Sequence, residues 1–288
     1  MDRKQIFFSR SWIAALTLSL CATSCVRQPE AEAQDQAFAT QLVEWEEQAT
    51  AEGCKINAMY PDSTSNTALS NNVREWINET LGGRYQGSLN NGHQVLAYYG
   101  NAHVADLKDM LDELGGGTAM DAASYYAQFK VVYETAQFVT YSYDSYIYSG
   151  GAHGSSSVSG AVFRKSDGRR FGWDMFTAEG KEALRKLLKE ALMKQYYKTN
   201  DEEDFYTKIF DADARYSFPL PQTPPLLKAS GVFFVYQEYE LSAYVFGTPQ
   251  CTIPYERLRD CLTTTMTPLL DSVNDSIAQN RPMGLSPQ

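Results

Sequence analysis

Histidine is scarce in this chain: His93, His103 and His153 are the only three. A catalytic metal site draws on two or more histidines with carboxylates, and no His-Glu-x-x-His pair occurs, so no metal centre is expected. Basic residues are in deficit as well. Lys and Arg number 25 against 35 Asp and Glu, for a net charge of −10. No Arg/Lys cluster stands out against that background, which argues against a nucleic-acid partner, because phosphate counterions are displaced only by clustered cations. Beyond the N-terminus no apolar run approaches the ~20 residues that a membrane-spanning helix needs. Phosphate-binding loops, dinucleotide fingerprints and the Gly-x-Ser-x-Gly elbow are all missing. Gly115-Gly116-Gly117 lacks the Lys-Ser/Thr that would make it a phosphate loop and reads as a helix stop. Ser155-Ser156-Ser157 reads as the start of a strand. No cofactor is expected and no catalytic residue is assigned. His93 and His103 receive no role.

Cysteine is also sparse. Of five, Cys21 and Cys25 lie at the N-terminus, leaving Cys54, Cys251 and Cys261. An odd three permits at most one internal disulfide and leaves a thiol over; without a CxxC spacing, zinc is not expected, and burial as small apolar side chains is the ordinary fate.

What is present begins with a targeting segment. Arg3, Lys4 and Arg10 precede a short apolar stretch, Trp12 to Leu20, that ends in Ala22-Thr23-Ser24-Cys25. A charged start, a short apolar middle and small residues at the end mark an export signal. Small residues before a cysteine resemble a bacterial lipoprotein cleavage site, with Ala22 where that motif usually has Leu. Residues 1–24 are then the signal and Cys25 the lipidated first residue of an envelope protein, periplasmic or surface-exposed; the alternative is a plain secretory signal cut near the same place, and either way the mature protein is exported. Residues 25–52, rich in Ala, Glu and Gln, read as a tether with some helix around Phe38, Leu42 and Trp45.

The rest is 43% hydrophobic over the whole chain and rich in tyrosine and phenylalanine, enough for a core. Its pattern predicts a strand at Lys55–Tyr60 and a helix at Thr67–Leu81. Loop is expected at Asn90–Gly100, then a helix at Ala102–Leu114 and a short one from Thr118. Strands are expected at Gln128–Thr135, Gln137–Tyr148, Ser156–Phe163 and Arg169–Phe171 in an antiparallel meander, with a turn at Asp167-Gly168. Along Phe138–Tyr148, Val139, Tyr141, Tyr143 and Ile147 fall on one side, as in a half-buried strand. The clearest helix starts at Thr177. Leu184, Leu187, Leu188, Ala191, Leu192 and Tyr196 form its apolar stripe, with Glu182–Lys186 and Glu190–Lys194 as outer pairs. Residues 199–215 read as acidic surface, and the prolines of 219–225 as an extended edge. Strands near Leu226–Lys228, Val232–Tyr236 and Gln250–Ile253 are expected to complete the sheet, followed by a short helix over Pro254–Leu262 and a last one from Thr267 carrying Leu269, Leu270, Val273 and Ile277. The expected class is α+β: a mainly antiparallel sheet packed by helices, with a small N-terminal α/β part.

The turn Ser149-Gly150-Gly151-Ala152-His153-Gly154 is the most unusual stretch. Three glycines around one histidine demand a specially shaped turn. It reads either as a connection whose histidine packs or caps backbone, or as a ligand-facing loop with His153 as its polar handle. Later, Phe233-Phe234-Val235-Tyr236 continues into a segment with Tyr239 and Tyr244. Tyrosines outside a strand, with an apolar body and a polar end, suit glycan or protein contacts. Glu238 and Glu240 could join His153 as an acid/base pair.

The Tyr148–Gly154 string, Tyr-Ser-Gly-Gly-Ala-His-Gly, resembles the extracytoplasmic domains of unknown function found in RsiV-type anti-sigma factors and PdaC-type peptidoglycan deacetylases. A second block is similar to the same family's C-terminal signature: Gly231 to Tyr236, Tyr239 to Tyr244 (with Ser242-Ala243 where the family usually has Ala-Pro), Gly247, Ile253-Pro254-Tyr255 and Leu258. Asp167-Gly168 with Trp173 to Phe176 forms a third block between them. The resemblance covers roughly residues 125–262. It implies an N-terminal α/β part at 53–124, the family domain at 125–265, and a terminal helix and tail at 266–288. It also implies a binding or sensing module whose ligand is a protein, lysozyme in the RsiV type, or a cell-wall glycan. Neither the sigma-binding segment nor the deacetylase domain is in this chain, so those activities do not follow. His153, Tyr148, Tyr239, Glu240 and Tyr244 are the candidate binding residues, and Gly150, Gly151 and Gly154 shape the turn. The turn and the Tyr239–Tyr244 segment are expected to meet in space. The alternative is a small envelope hydrolase using His153 and a carboxylate.

Overall fold

The computed structural model describes residues 37–47, 53–113, 123–210 and 212–279. The signal segment, Cys25, most of the tether, the short helix expected at Thr118 and the tail from residue 280 lie outside the described residues, as do the side chains of Leu111 and Ile277.

Six strands form the main sheet in sequence order: β1 (Thr40–Glu47), β2 (Cys54–Pro61), β3 (Ser124–Glu134), β4 (Phe138–Tyr148), β5 (Ser155–Arg164) and β6 (Arg170–Phe171). All neighbours are antiparallel except β2 and β3, which run parallel. Two helices, α1 (Ala68–Thr80) and α2 (Gly92–Glu113), make that parallel crossover. A parallel pair needs such a long connection. The border expected at residue 124 is therefore crossed by sheet pairing.

A second sheet of three strands, β7 (Leu226–Lys228), β8 (Gly231–Val235) and β9 (Gln250–Ile253), stands apart from the first. This corrects the expectation that these strands complete one sheet. Helix α3 (Ala178–Gln195) packs on β9, and α4 (Glu202–Tyr206), α5 (Tyr255–Leu258) and α6 (Thr267–Gln279) follow in the chain. The expected class, α+β, is the observed one.

The cores explain the arrangement. One face of the main sheet packs against α1 and α2. There Trp76 makes edge contacts with Phe129, Tyr141 and Phe163 at ring distances of 5.4, 5.8 and 5.9 Å. The opposite face, at Phe138, Val162 and Phe171, packs against the second sheet and α3. β4 is consequently buried on both sides from Phe138 to Tyr143, so the alternation expected there does not appear, and beyond it the consecutive Tyr146 and Ile147 are both exposed. A bulge between Val131 and Tyr133 turns β3 over, so that Tyr133 joins the second core.

Three further expectations change. Phe38–Trp45 is mostly strand, not helix: Val43 is buried against α2 and Trp45 is half-buried on the same side, while Leu42, Glu44 and Glu46 face water, the alternation of an edge strand. Helix α2 begins ten residues earlier than Ala102, at Gly92, because Val95, Leu96 and Tyr99 bury the extra turns. Gly92 and Gly100 allow the close approach of Tyr60 and Trp45 there. Within 199–215, Phe205 and Ile209 are buried, so this acidic segment is anchored.

Helix α3 starts where expected, with the Thr177 hydroxyl accepting from the Gly180 N–H at 2.9 Å. Leu184, Leu188, Ala191 and Leu192 are buried, and Leu187 and Tyr196 are half-buried. The expected outer pairs give way to other partners. Glu182 pairs with Arg185, and Glu190 with Arg257 from α5. Arg185 also donates to the Phe218 carbonyl at 2.8 Å.

Two glutamines close sheet edges. The Gln237 carboxamide accepts from the Val158 N–H at 3.1 Å and donates to the Val158 carbonyl at 2.6 Å. Gln195 does the same to Thr252 of β9, at 2.9 Å in both directions. Each side chain stands in for a missing strand, which protects an edge from pairing with other chains.

Candidate functional site

β4 ends at Tyr148 and β5 begins at Ser155. Gly150 and Gly151 between them have φ of 97° and 94°, a region that favours glycine. Gly154 is needed for a different reason: any Cβ there would run into the Tyr146 ring. Tyr148 closes the turn by donating from its hydroxyl to the Gly151 carbonyl at 2.9 Å.

His153 projects from this turn, exposed, with its ring stacked on Tyr244 at a centroid distance of 3.7 Å and an interplanar angle of 16°. Its Nδ1 lies 2.9 Å from the Gly154 carbonyl, and its Nε2 3.3 Å from the Tyr239 hydroxyl. A carbonyl can only accept, so Nδ1 carries the hydrogen and, in the neutral ring, Nε2 accepts from Tyr239. Tyr239 lies 6.0 Å from Tyr244, with the rings 29° apart. The two segments thus meet as the sequence anticipates. Tyr239 is 54% exposed and its φ is +64°. A bulky residue in that region is strained by about 1–3 kcal/mol and is held there by its surroundings.

The surroundings are visible. The Glu240 carboxylate accepts from the Gln222 N–H at 2.6 Å and the Gln237 N–H at 2.7 Å. It fixes the loop, and Gln237 ties that loop to β5 and, through Thr223 at 2.7 Å, to the preceding segment. Ser242, fully buried, accepts from the Tyr197 hydroxyl at 2.9 Å. Tyr196 donates to the Phe246 carbonyl. The aromatic loop is therefore pinned at both ends on β5 and α3.

Glu238 reaches Ser155 Oγ at 3.3 Å. The Tyr244 hydroxyl is held above the ordinary tyrosine range by desolvation and then by Glu238, Tyr146 and Tyr239. Tyr146 and Val245, 39% and 82% exposed, enlarge the apolar surface around the cluster. Sequence reasoning passed over both, and over Gln237. Tyr146 offered one signal: it sits on the side of β4 opposite to Ile147 and Tyr143, eight residues before a glycine that makes room for its ring. Cys54, Cys251 and Cys261 are buried free thiols. Among the described residues no group of three His, Cys, Asp or Glu comes together as a metal site, and no helix is long and apolar enough to cross a membrane.

These side chains form an exposed, braced cluster of aromatic rings around one histidine. Residues 173–256 match a family model described as "Protein of unknown function (DUF3298)". The matched stretch includes Tyr239 and Tyr244, while the His153 turn precedes it. Its fold is similar to that of a DUF3298 family member from Bacteroides fragilis, with a TM-score of 0.66 and 22% identity over 83% of this chain and 98% of that one. A DUF3298 family protein from Pseudomonas aeruginosa gives a TM-score of 0.58 and 20% identity over 81% of this chain and 97% of that one. No curated protein matches the chain.

Proposed function

We propose that the protein is an envelope-anchored, extracytoplasmic binding or sensing lipoprotein, held to the membrane by lipid on Cys25. Its ligand, a protein or a cell-wall glycan, docks on His153, Tyr239 and Tyr244. The observation that carries this reading is the conformation of Tyr239: an exposed tyrosine kept at φ +64° by Glu240 and Gln237. Strain that serves no packing purpose is a mark of a working surface. Tyrosine rings offer large contact area with little entropy loss, which suits both ligand classes.

The finer kinship, with RsiV-type and PdaC-type extracytoplasmic domains, belongs to the same proposal. It is supported by the contact between the Tyr148–Gly154 string and the Tyr239–Tyr244 block. The hydrolase alternative has less support, since both Glu240 oxygens are engaged with backbone N–H groups and His153 is bonded to a tyrosine and a carbonyl. The test is capture of lysozyme and of purified cell-wall fragments by the immobilised protein, with Tyr239→Ala and His153→Ala beside it. Capture by the wild type that both variants lose supports the reading; capture unaffected by either variant overturns the site.

A further inference from the structure

The outer edge of β5 is closed at two points and open between them. β6 pairs with Val162 and Phe163. Gln237 takes the N–H and C=O of Val158. Backbone groups of an antiparallel strand alternate between its two neighbours. The β4–β5 register is regular, so Gly160 turns its N–H and C=O the same way as Val158 and Val162, away from β4. β6 has by then left the edge for the 3-10 turn Trp173–Met175. Gly160 instead lines an open cleft of about 410 Å³, with Trp76, Thr80, Arg170 and Pro224 among its walls. An Arg170–Glu79 ion pair of 2.8 Å, both side chains about half exposed, lies along it. Glycine is required at 160, since a Cβ would meet the Tyr141 carbonyl oxygen and the Leu226 side chain.

We propose that this cleft binds a primary carboxamide, which pairs its C=O with the Gly160 N–H and its N–H with the Gly160 C=O. Two observations choose the occupant. The free edge is a single outward-facing residue long, so an added strand, which gains its affinity from successive backbone pairs, does not fit. And the residue two positions along is already paired with a carboxamide, that of Gln237, in the required two-point geometry. In a primary carboxamide one N–H lies on the same side as the C=O, so a single group makes both bonds. An ordinary trans secondary amide points them opposite ways and makes one. The carboxamide is borne either by a small molecule or by a glutamine or asparagine side chain of a peptide. This site is separate from the His153 cluster and stands or falls independently of it.

The test is titration of the isotopically labelled protein, with the Gly160 amide resonance as readout. Nicotinamide and N-acetylglutamine are the probes for the two sources. N,N-dimethylnicotinamide and N-acetylglutamate, which lack the carboxamide N–H, are the controls. The expected result is a saturable Gly160 shift with at least one probe and none with its control. A Thr80→Phe variant, which fills the cleft with a side chain from the end of α1, is expected to lose the response and to retain the wild-type spectrum away from the cleft. Equal shifts from probe and control, no Gly160 shift with either probe, or an undiminished response in Thr80→Phe would overturn the proposal.

Discussion

Gln237 and Val158 are paired as if they belonged to neighbouring strands, the side chain of one meeting both backbone groups of the other at 3.1 and 2.6 Å. The same carboxamide accepts from the Ser157 hydroxyl at 3.2 Å and bonds Thr223. One side chain thereby joins the aromatic loop to the main sheet. Gln237→Ala is expected to lower stability by roughly 1–3 kcal/mol, the cost of leaving partly buried backbone groups unpaired. Gln237→Glu should cost more than its similar shape suggests, because a carboxylate would face the Val158 carbonyl. Urea midpoints of the two variants check this, and a Glu variant as stable as wild type would show that the donated bond contributes nothing.

Leu188 is fully buried in α3 and Leu187 is not. Leu188→Ala is expected to cost roughly 2–5 kcal/mol. Leu187→Ala should cost clearly less, since fewer of its atoms leave water on folding. Melting temperatures that fall equally would mean the helix is rotated relative to the present packing.

Tyr239→Gly separates strain from function. Glycine accepts φ +64° freely, so the substitution removes about 1 kcal/mol or more of backbone strain while losing the ring contacts with His153 and Tyr244. Stability is expected to hold or rise while ligand capture is lost. A marked fall in the thermal midpoint would assign Tyr239 to structure instead.

Burial pushes the Cys251 thiol up to about 12. The folded state therefore holds its proton more tightly than an exposed thiol, whose pKa is about 8.5. This contribution to stability is fully present below about 8.5 and is lost as pH rises towards 12. Alkylation at mildly alkaline pH, read by peptide mass, should leave Cys54, Cys251 and Cys261 unmodified in the folded protein and label all three in denaturant.

Cys25→Ala should abolish membrane retention and leave the fold intact, since several acyl chains are needed for stable anchoring and none would remain. Detergent partitioning of the variant equal to that of wild type would defeat the lipoprotein reading.

Local patterns determined much of this protein by themselves. The Thr177 cap and the spacing of Leu184, Leu188 and Leu192 specify α3, because capping and 3.6-residue periodicity act within a few turns. The Asp167-Gly168 turn is equally local: Gly168 has φ +72°, a conformation that glycine favours. The three glycines and lone histidine mark the turn at 150–154 as special before any contact is known. Other features are decided only by partners distant in sequence. β1 looks like a polar tether until β2 supplies its ladder and α2 covers Val43. The division into two sheets depends on which side of β4 each apolar residue finds, and a strand buried on both faces carries no alternation to announce it. Glu240 reads in the sequence as one more loop carboxylate, yet one of the two N–H groups that claim it comes from Gln222, eighteen residues away. The sequence can place a histidine in a turn and tyrosines in a loop. Only the packing of β5, β8 and α3 brings them within 3.3 Å, because that distance is the sum of many long-range contacts and no local preference encodes it.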